Sequence, residues 1–172
     1  FDGEKGYPKI NSQDEYSFYF EKCYPQTVDR KYFIQQKVDK IDPTIGDRCL
    51  AELFNIGKVD HIWTTNFDEL IERALALQNA KQYKLISPDN AHQVEDIGSS
   101  YPKVIKLHGD YRYDKLQNIE AETKNLDEKL REYFIKSSST KGLIVVGYNG
   151  GDKSIMEAIK ETFKSDSPFP FG

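Results

Sequence analysis

One short stretch, Thr-Thr-Asn-Phe-Asp at 64–68, has side chains suited to chemistry at the end of an apolar run. The residues before it, 59–63, alternate and include β-branched types, which predicts a strand, and those after it, 70–75, have helical spacing. An amide both donates and accepts hydrogen bonds, so Asn66 can hold a water molecule and a hydroxyl group together. Open α/β sheets bind ligands where strands end and helices begin. Asn66 and Asp68 are therefore candidate site residues.

Helix capping is the alternative explanation for the same residues. Asn66 and Glu69 have the spacing of a capping box, and a carboxylate at Asp68 would stabilise a helix N-terminus through the helix dipole. The stretch by itself leaves both explanations open. The choice between them depends on whether other strands end in the same way.

Two later segments repeat the arrangement. The apolar run at 104–107 is followed by His-Gly-Asp at 108–110, and a run typical of a buried parallel strand, 142–147, is followed by Tyr-Asn at 148–149. Because parallel strands place their carboxyl ends along one edge of a sheet, these three corners predict a shared site.

Local structural roles are the alternative for these corners as well. A histidine after a strand is more often a hydrogen-bonded loop residue than a catalyst, so His108 alone would decide nothing. Asp110 can satisfy a turn, and Asp152 is suited to the N-cap of the last helix. His61 and His92 have no Cys or carboxylate partner at ligand spacing, so we predict no metal site.

The rest of the pattern predicts a helical opening followed by an α/β sheet. Helices are predicted at 13–22, 26–37 and 44–56, a short strand at 83–86 and a loop at 87–102. Two later helices take their apolar sides from Leu126, Leu130, Tyr133 and Phe134, and from Ile155, Met156, Ile159 and Phe163. We expect one domain, 1–172, with a mainly helical segment at 1–57 and an α/β core at 58–165.

The three corners also point to a known family. The motifs at 64–68, Lys-Leu-His-Gly-Asp at 106–110 and Gly-Tyr-Asn-Gly-Gly-Asp at 147–152, in this order, resemble the Sir2-like domains of bacterial proteins, many of them anti-phage defence NADases. The resemblance runs from Glu15 to Met156. It implies a Rossmann-like parallel sheet flanked by helices, with a helical N-terminal segment. It also implies an NAD+ hydrolase that releases nicotinamide and ADP-ribose as the effector of a larger defence protein.

The resemblance assigns roles residue by residue. Asn66 would position a water molecule and a ribose hydroxyl, and His108 would accept a proton as the catalytic base. Asp68 would bind the nicotinamide carboxamide. The remaining NAD-binding residues would be Thr65, Gly147, Tyr148 and Asn149.

Two departures from the family pattern affect what we expect. The family opens with a strand and a Gly-Ala-Gly loop that holds the NAD pyrophosphate, whereas Gly3 and Gly6 are isolated among charges and the chain begins at Phe1. We therefore expect a piece of a longer protein that binds NAD poorly by itself. Sirtuin deacylases carry two Cys pairs for zinc, whereas this chain has Cys23 and Cys49 alone. We expect no zinc.

That difference disfavours an NAD-dependent protein deacylase, which remains the first alternative. A non-catalytic sensor of NAD or ADP-ribose is the second, and the presence of both Asn66 and His108 argues against it, because a binder needs no base. A net charge of −4 without a basic cluster argues against direct nucleic-acid binding. No apolar stretch has the length of a membrane span. We expect a cytoplasmic protein whose partners are NAD, further domains of the same longer chain and other copies of itself.

Overall fold

The computed structural model describes residues 7–95, 101–110, 126–164 and 168–170. The chain divides into two compact units, one formed by Tyr24–Leu116 and the other by Phe1–Cys23 together with Gln117–Gly172. The structure does not describe residues 1–6, 96–100, 111–125, 165–167 and 171–172. Gly3 and Gly6 are among them.

The described elements alternate in type after a helical opening. The helices are α1 (Gln13–Cys23), α2 (Thr27–Val38), α3 (Ile45–Asn55), α4 (Leu70–Leu77), α5 (Glu128–Ser138) and α6 (Lys153–Thr162). The strands are β1 (His61–Thr64), β2 (Lys84–Ile86) and β3 (Lys103–Lys106), and a short 3₁₀ turn occupies Ala91–Gln93. None of these described helices is both long enough and apolar enough to cross a bilayer.

The unit Tyr24–Leu116 contains the sheet. Its three strands are parallel in the order β1-β3-β2, so β3 lies in the centre and every residue of β3 is buried. Burial of this central strand explains why Val104, Ile105 and Leu107 are all apolar instead of alternating with polar residues. The α/β fold with a parallel sheet, flanking helices and a helical N-terminal segment is confirmed.

Local signals in the sequence account for the helices around this sheet. Thr44 caps α3, accepting a hydrogen bond from the Asp47 backbone while the Asp47 side chain accepts from the Thr44 backbone at 2.8 Å, a complete capping box. Gly57, with φ 74°, follows the end of this helix in the left-handed region that favours glycine. The apolar faces of α3 and α4 then pack on the sheet through a buried core of Ala51, Phe54, Ile62, Ala74, Leu75 and Val104.

The other unit contains α1, α5 and α6. The Asp127 side chain caps α5 by accepting from the backbones of Lys129 and Leu130, and an ion pair between Arg131 and Glu161 joins α5 to α6. The predicted apolar side of α5 is confirmed at Leu130 and Phe134, which are both buried.

The predicted apolar face of the last helix is only partly right. The buried stripe of α6 is formed by Ser154, Ile155, Ala158 and Thr162. Phe163 is the C-cap of α6 and is 63% exposed, so it lies outside this buried stripe. Its ring instead packs edge-on against Phe169, with centroids 5.3 Å apart.

The predicted strand at 142–147 was also wrong. Residues 142–146 form no regular secondary structure, and Ile144 and Val146 are 85% and 87% exposed. The β-branched composition favours an extended chain, but a strand also requires a hydrogen-bonded neighbour. No described residue supplies that neighbour in this unit.

Candidate functional site

The central strand pair brings two of the predicted corners together. Thr64, the last residue of β1, is in register with Lys106, the last residue of β3, and the Leu107 backbone donates to the Thr64 carbonyl at 2.9 Å. Asn66 and His108 therefore follow the paired ends by the same number of residues. The carboxyl ends of parallel strands are where α/β sheets bind ligands.

The loop after β1 presents Asn66 to solvent. The Asn66 side chain is exposed, while its backbone N–H donates to Thr64 Oγ1 at 3.0 Å and holds the turn. The neighbouring Thr65 and Asp68 are half-buried. An exposed amide on a backbone fixed in this way is accessible to a ligand and defined in position.

The capping alternative is resolved at this loop. The N-cap of α4 is Glu69 rather than Asn66, so the capping box of Asn66 and Glu69 is not formed. The Asp68 carboxylate does support the helix start, because its Oδ1 accepts from the Leu70 backbone at 3.0 Å. Asp68 therefore has a structural function, and Asn66 has no part in capping this helix.

His108 lies inside the second corner. Its side chain is buried and its ring lies 6.4 Å from the Phe67 ring, centroid to centroid. Gly109 follows with φ 89°, a backbone conformation that a side chain would strain. The Phe67 contact therefore links the loop after β1 to the histidine.

A buried charged cluster lies beneath these corners. The Lys106 ammonium contacts Glu72 Oε1 at 2.7 Å, Asp110 Oδ2 at 2.7 Å and the backbone carbonyl of Asp68. The side chains of Lys106 and Asp110 are fully buried, and that of Glu72 is 12% exposed. The Lys106 ammonium group has three N–H donors, and it contacts three oxygen atoms: one from α4, one from the loop before α4 and one from the turn after β3.

Among the residues that the structure describes, two carboxylates of the cluster contact the same ammonium ion. Burial raises the pKa of Glu72 above its ordinary value, the nearby Lys106 charge opposes that rise, and the Asp110 charge adds to it. The sequence did not predict this cluster: Asp110 was considered for a turn, Lys106 was noted only as part of the motif at 106–110, and Glu72 was not considered. The available signal was a lysine inside an apolar run, four residues before an aspartate.

The third predicted corner lies in the other unit. Gly147 has φ 68°, and a Cβ built there would meet no described atom within 4 Å, so backbone conformation rather than close packing favours glycine. The Asn149 side chain accepts from the Gly151 backbone at 3.0 Å. The role of Gly147, Tyr148 and Asn149 in NAD binding stays a prediction.

Tyr148 holds the start of α6. Its hydroxyl donates to the Asp152 carbonyl at 3.4 Å and accepts from the Asp152 backbone N–H at 3.2 Å. Burial, together with the Asp152 charge, raises the pKa of Tyr148 to about 12, so the hydroxyl stays protonated at neutral pH. Asp152 is the N-cap of α6, as predicted.

No group of metal-ligating side chains occurs among the residues that the structure describes. Cys23 and Cys49 are both free and exposed thiols. The other two histidines have local explanations: His61 pairs with Asp60 at 2.8 Å, and His92 is exposed in the 3₁₀ turn.

Two polar corners lie at the carboxyl ends of neighbouring parallel strands, which is the edge where α/β sheets bind ligands. The SIR2-like domain family matches residues 60–170, from the start of β1 past α6 and including all three motifs. The chain therefore belongs to the SIR2-like domain family, whose members typically use NAD. A search of curated proteins finds no match to the chain.

Proposed function

We propose that this protein hydrolyses NAD+ to nicotinamide and ADP-ribose. The observation that supports the proposal is that Asn66 and His108 each follow the paired ends of neighbouring parallel strands by two residues, with Phe67 in contact with the His108 ring. Family membership supplies NAD as the substrate class. Attack of water on a ribose carbon needs a group that positions the water and a group that accepts its proton. An amide that donates and accepts hydrogen bonds can be the first, and a histidine can be the second.

Breaking the nicotinamide–ribose bond leaves positive charge on the ribose, and the bond to water forms on the same carbon. In our proposal the exposed Asn66 amide holds the water and a ribose hydroxyl. His108 accepts the proton that the attack releases, a task suited to an imidazole at neutral pH. The ring is buried and packs beside Phe67.

Asp68 would orient the leaving nicotinamide. Its Oδ1 already accepts from Leu70, but a carboxylate offers about four lone-pair positions, so it can also accept from a carboxamide N–H. Thr65 lies in the same loop and would contribute to this part of the site. Gly147, Tyr148 and Asn149 would bind the adenosine side, a role that rests on their motif.

The test is nicotinamide release by the purified full-length protein, with NAD as the only substrate. We expect release without any acylated peptide, and we expect Asn66→Ala to abolish it, a loss of at least about 3 kcal/mol of transition-state stabilisation. Release only when an acetylated peptide is added would replace the proposal with a deacylase. Tight NAD binding with no turnover would replace it with a sensor.

The same proposal includes the biological setting. An NAD-depleting domain acts where NAD is abundant, so we place it in the bacterial cytoplasm as an anti-phage effector, working with further domains and other copies of its chain. The three motifs that resemble defence NADases support this part. Infected cells that express the protein should lose NAD, whereas cells that express Asn66→Ala should not. Equal NAD levels in the two cultures would contradict the defence role.

A further inference from the structure

Lys106 is the residue on which both corners of the site depend. We propose that Lys106 is a positioning residue for NAD hydrolysis: its buried ammonium ion fixes the loop that carries Asn66 relative to the turn that carries His108. The inference rests on the proposed function and adds a residue that contacts neither the substrate nor the water.

The contacts show how one side chain can do this. On one side Lys106 Nζ donates to the backbone carbonyl of Asp68, in the loop after β1. On the other it donates to Asp110 Oδ2 at 2.7 Å, just beyond His108. The contact with Glu72 Oε1 at 2.7 Å adds the first turns of α4. Three separate segments therefore converge on a single nitrogen atom.

Fold stability alone is a weak reason to bury this ion. Replacing a buried ionic cluster by apolar residues of similar volume is often neutral or stabilising, because the charges lose hydration on burial. The position at the carboxyl edge of the sheet gives a functional reason instead. An error of about 1 Å in catalytic geometry can cost about 10²-fold in rate.

The same strand supplies a matched control. Lys103, at the other end of β3, is also buried, with 3% of its surface exposed, and its Nζ donates to the Tyr101 carbonyl at 3.3 Å. It lies at the opposite edge from Asn66 and His108. The two lysines therefore share strand, residue type and burial but differ in whether they touch the site.

The experiment compares Lys106→Met with Lys103→Met in the full-length protein. Methionine keeps most of the apolar stem and removes the charge. We expect Lys106→Met to lower kcat by about 10²-fold while KM for NAD changes by less than about threefold, because the substrate contacts remain. Lys103→Met should keep both constants near wild type. Equal losses of kcat in the two variants would overturn the inference.

A second measurement does not depend on turnover. The chain has three histidines, so the ring proton signals of His108 are assignable in an NMR spectrum by comparison with His108→Ala. Lys106→Met should shift the His108 signals, and Lys103→Met should leave them in place. Unmoved His108 signals in Lys106→Met would overturn the positioning role, even if wild-type protein proves not to hydrolyse NAD. Inactive wild-type protein with shifted signals would overturn the proposed function alone.

If Lys106→Met does not fold, a second variant tests the same proposal. Combining it with Glu72→Gln and Asp110→Asn removes the two carboxylates that the substitution would leave buried without a cation. We expect this neutral variant to fold, to bind NAD and to keep the low kcat. Wild-type kcat in the neutral variant would overturn the proposal.

Discussion

Replacing Lys106 by methionine should destabilise the protein by about 3–5 kcal/mol, because it leaves two buried carboxylates without their cation. The structure places the ammonium 2.7 Å from Glu72 and 2.7 Å from Asp110, with the Lys106 and Asp110 side chains fully buried. The apolar stem is nearly preserved by methionine, so the loss is electrostatic rather than a cavity. At about 2–4 °C per kcal/mol for a chain of this size, the melting temperature should fall by about 6–20 °C.

The same substitution should also change how stability depends on pH. The Lys106 charge lowers the pKa of Glu72, so its removal should raise that pKa further and allow Glu72 to take up a proton as the pH falls. A protonated Glu72 can donate a hydrogen bond to Asp110. The destabilisation of Lys106→Met relative to wild type should therefore be largest at neutral pH and should shrink toward acidic pH.

Urea unfolding followed by circular dichroism at several pH values measures both effects. Lys103→Met is the control: it removes a charge-assisted hydrogen bond to the Tyr101 carbonyl, worth about 1.5–3 kcal/mol, and should destabilise the protein less than Lys106→Met. Adding Glu72→Gln and Asp110→Asn to Lys106→Met should restore most of the lost stability. A Lys106→Met variant no less stable than Lys103→Met, or a loss that is the same at every pH, would refute the reasoning.

Two further predictions concern single interactions. The stability of the wild-type protein should fall as pH rises from the ordinary glutamate value of 4.5 through the raised pKa of Glu72, because the folded state holds that proton more tightly than the unfolded chain. Glu72→Gln should remove this fall. Unfolding free energies of the two proteins that run parallel across this range would contradict the prediction. Thr44→Ala should cost about 1 kcal/mol, because it breaks the capping box of α3. Ser139→Ala, at the half-buried C-cap of α5, removes a hydroxyl hydrogen bond to the Lys136 carbonyl and no capping box, and should cost less in the same melting experiment; equal losses would contradict the capping role.

Local signals explain how far the sequence alone could predict the fold. The helices have the expected apolar spacing, and Thr44 with Asp47 marks the start of α3 as a capping box should. Strand pairing was predictable for β1 and β3 because each apolar run ends at a polar corner and parallel strands share an edge. The sequence could therefore predict that Asn66 and His108 follow the ends of neighbouring strands.

The buried cluster could not be predicted in the same way. Lys106 and Asp110 are four residues apart, but Glu72 comes from an earlier helix that is far from them along the chain, so no local pattern joins all three. The strand prediction at 142–147 was wrong for a related reason. Its β-branched residues favour extended structure, but strand formation depends on a neighbour that no local sequence specifies.

The most direct test of the central claim is paired measurement of NAD binding and NAD hydrolysis in His108→Ala, with His92→Ala as control. His92 is exposed in a turn outside the site, so its replacement should change neither quantity. If His108 is the base, its loss should lower nicotinamide release by about 10²-fold or more while NAD affinity, measured by calorimetry, stays near wild type. Unchanged hydrolysis in a folded His108→Ala protein, or parallel loss of binding, hydrolysis and thermal stability, would contradict it.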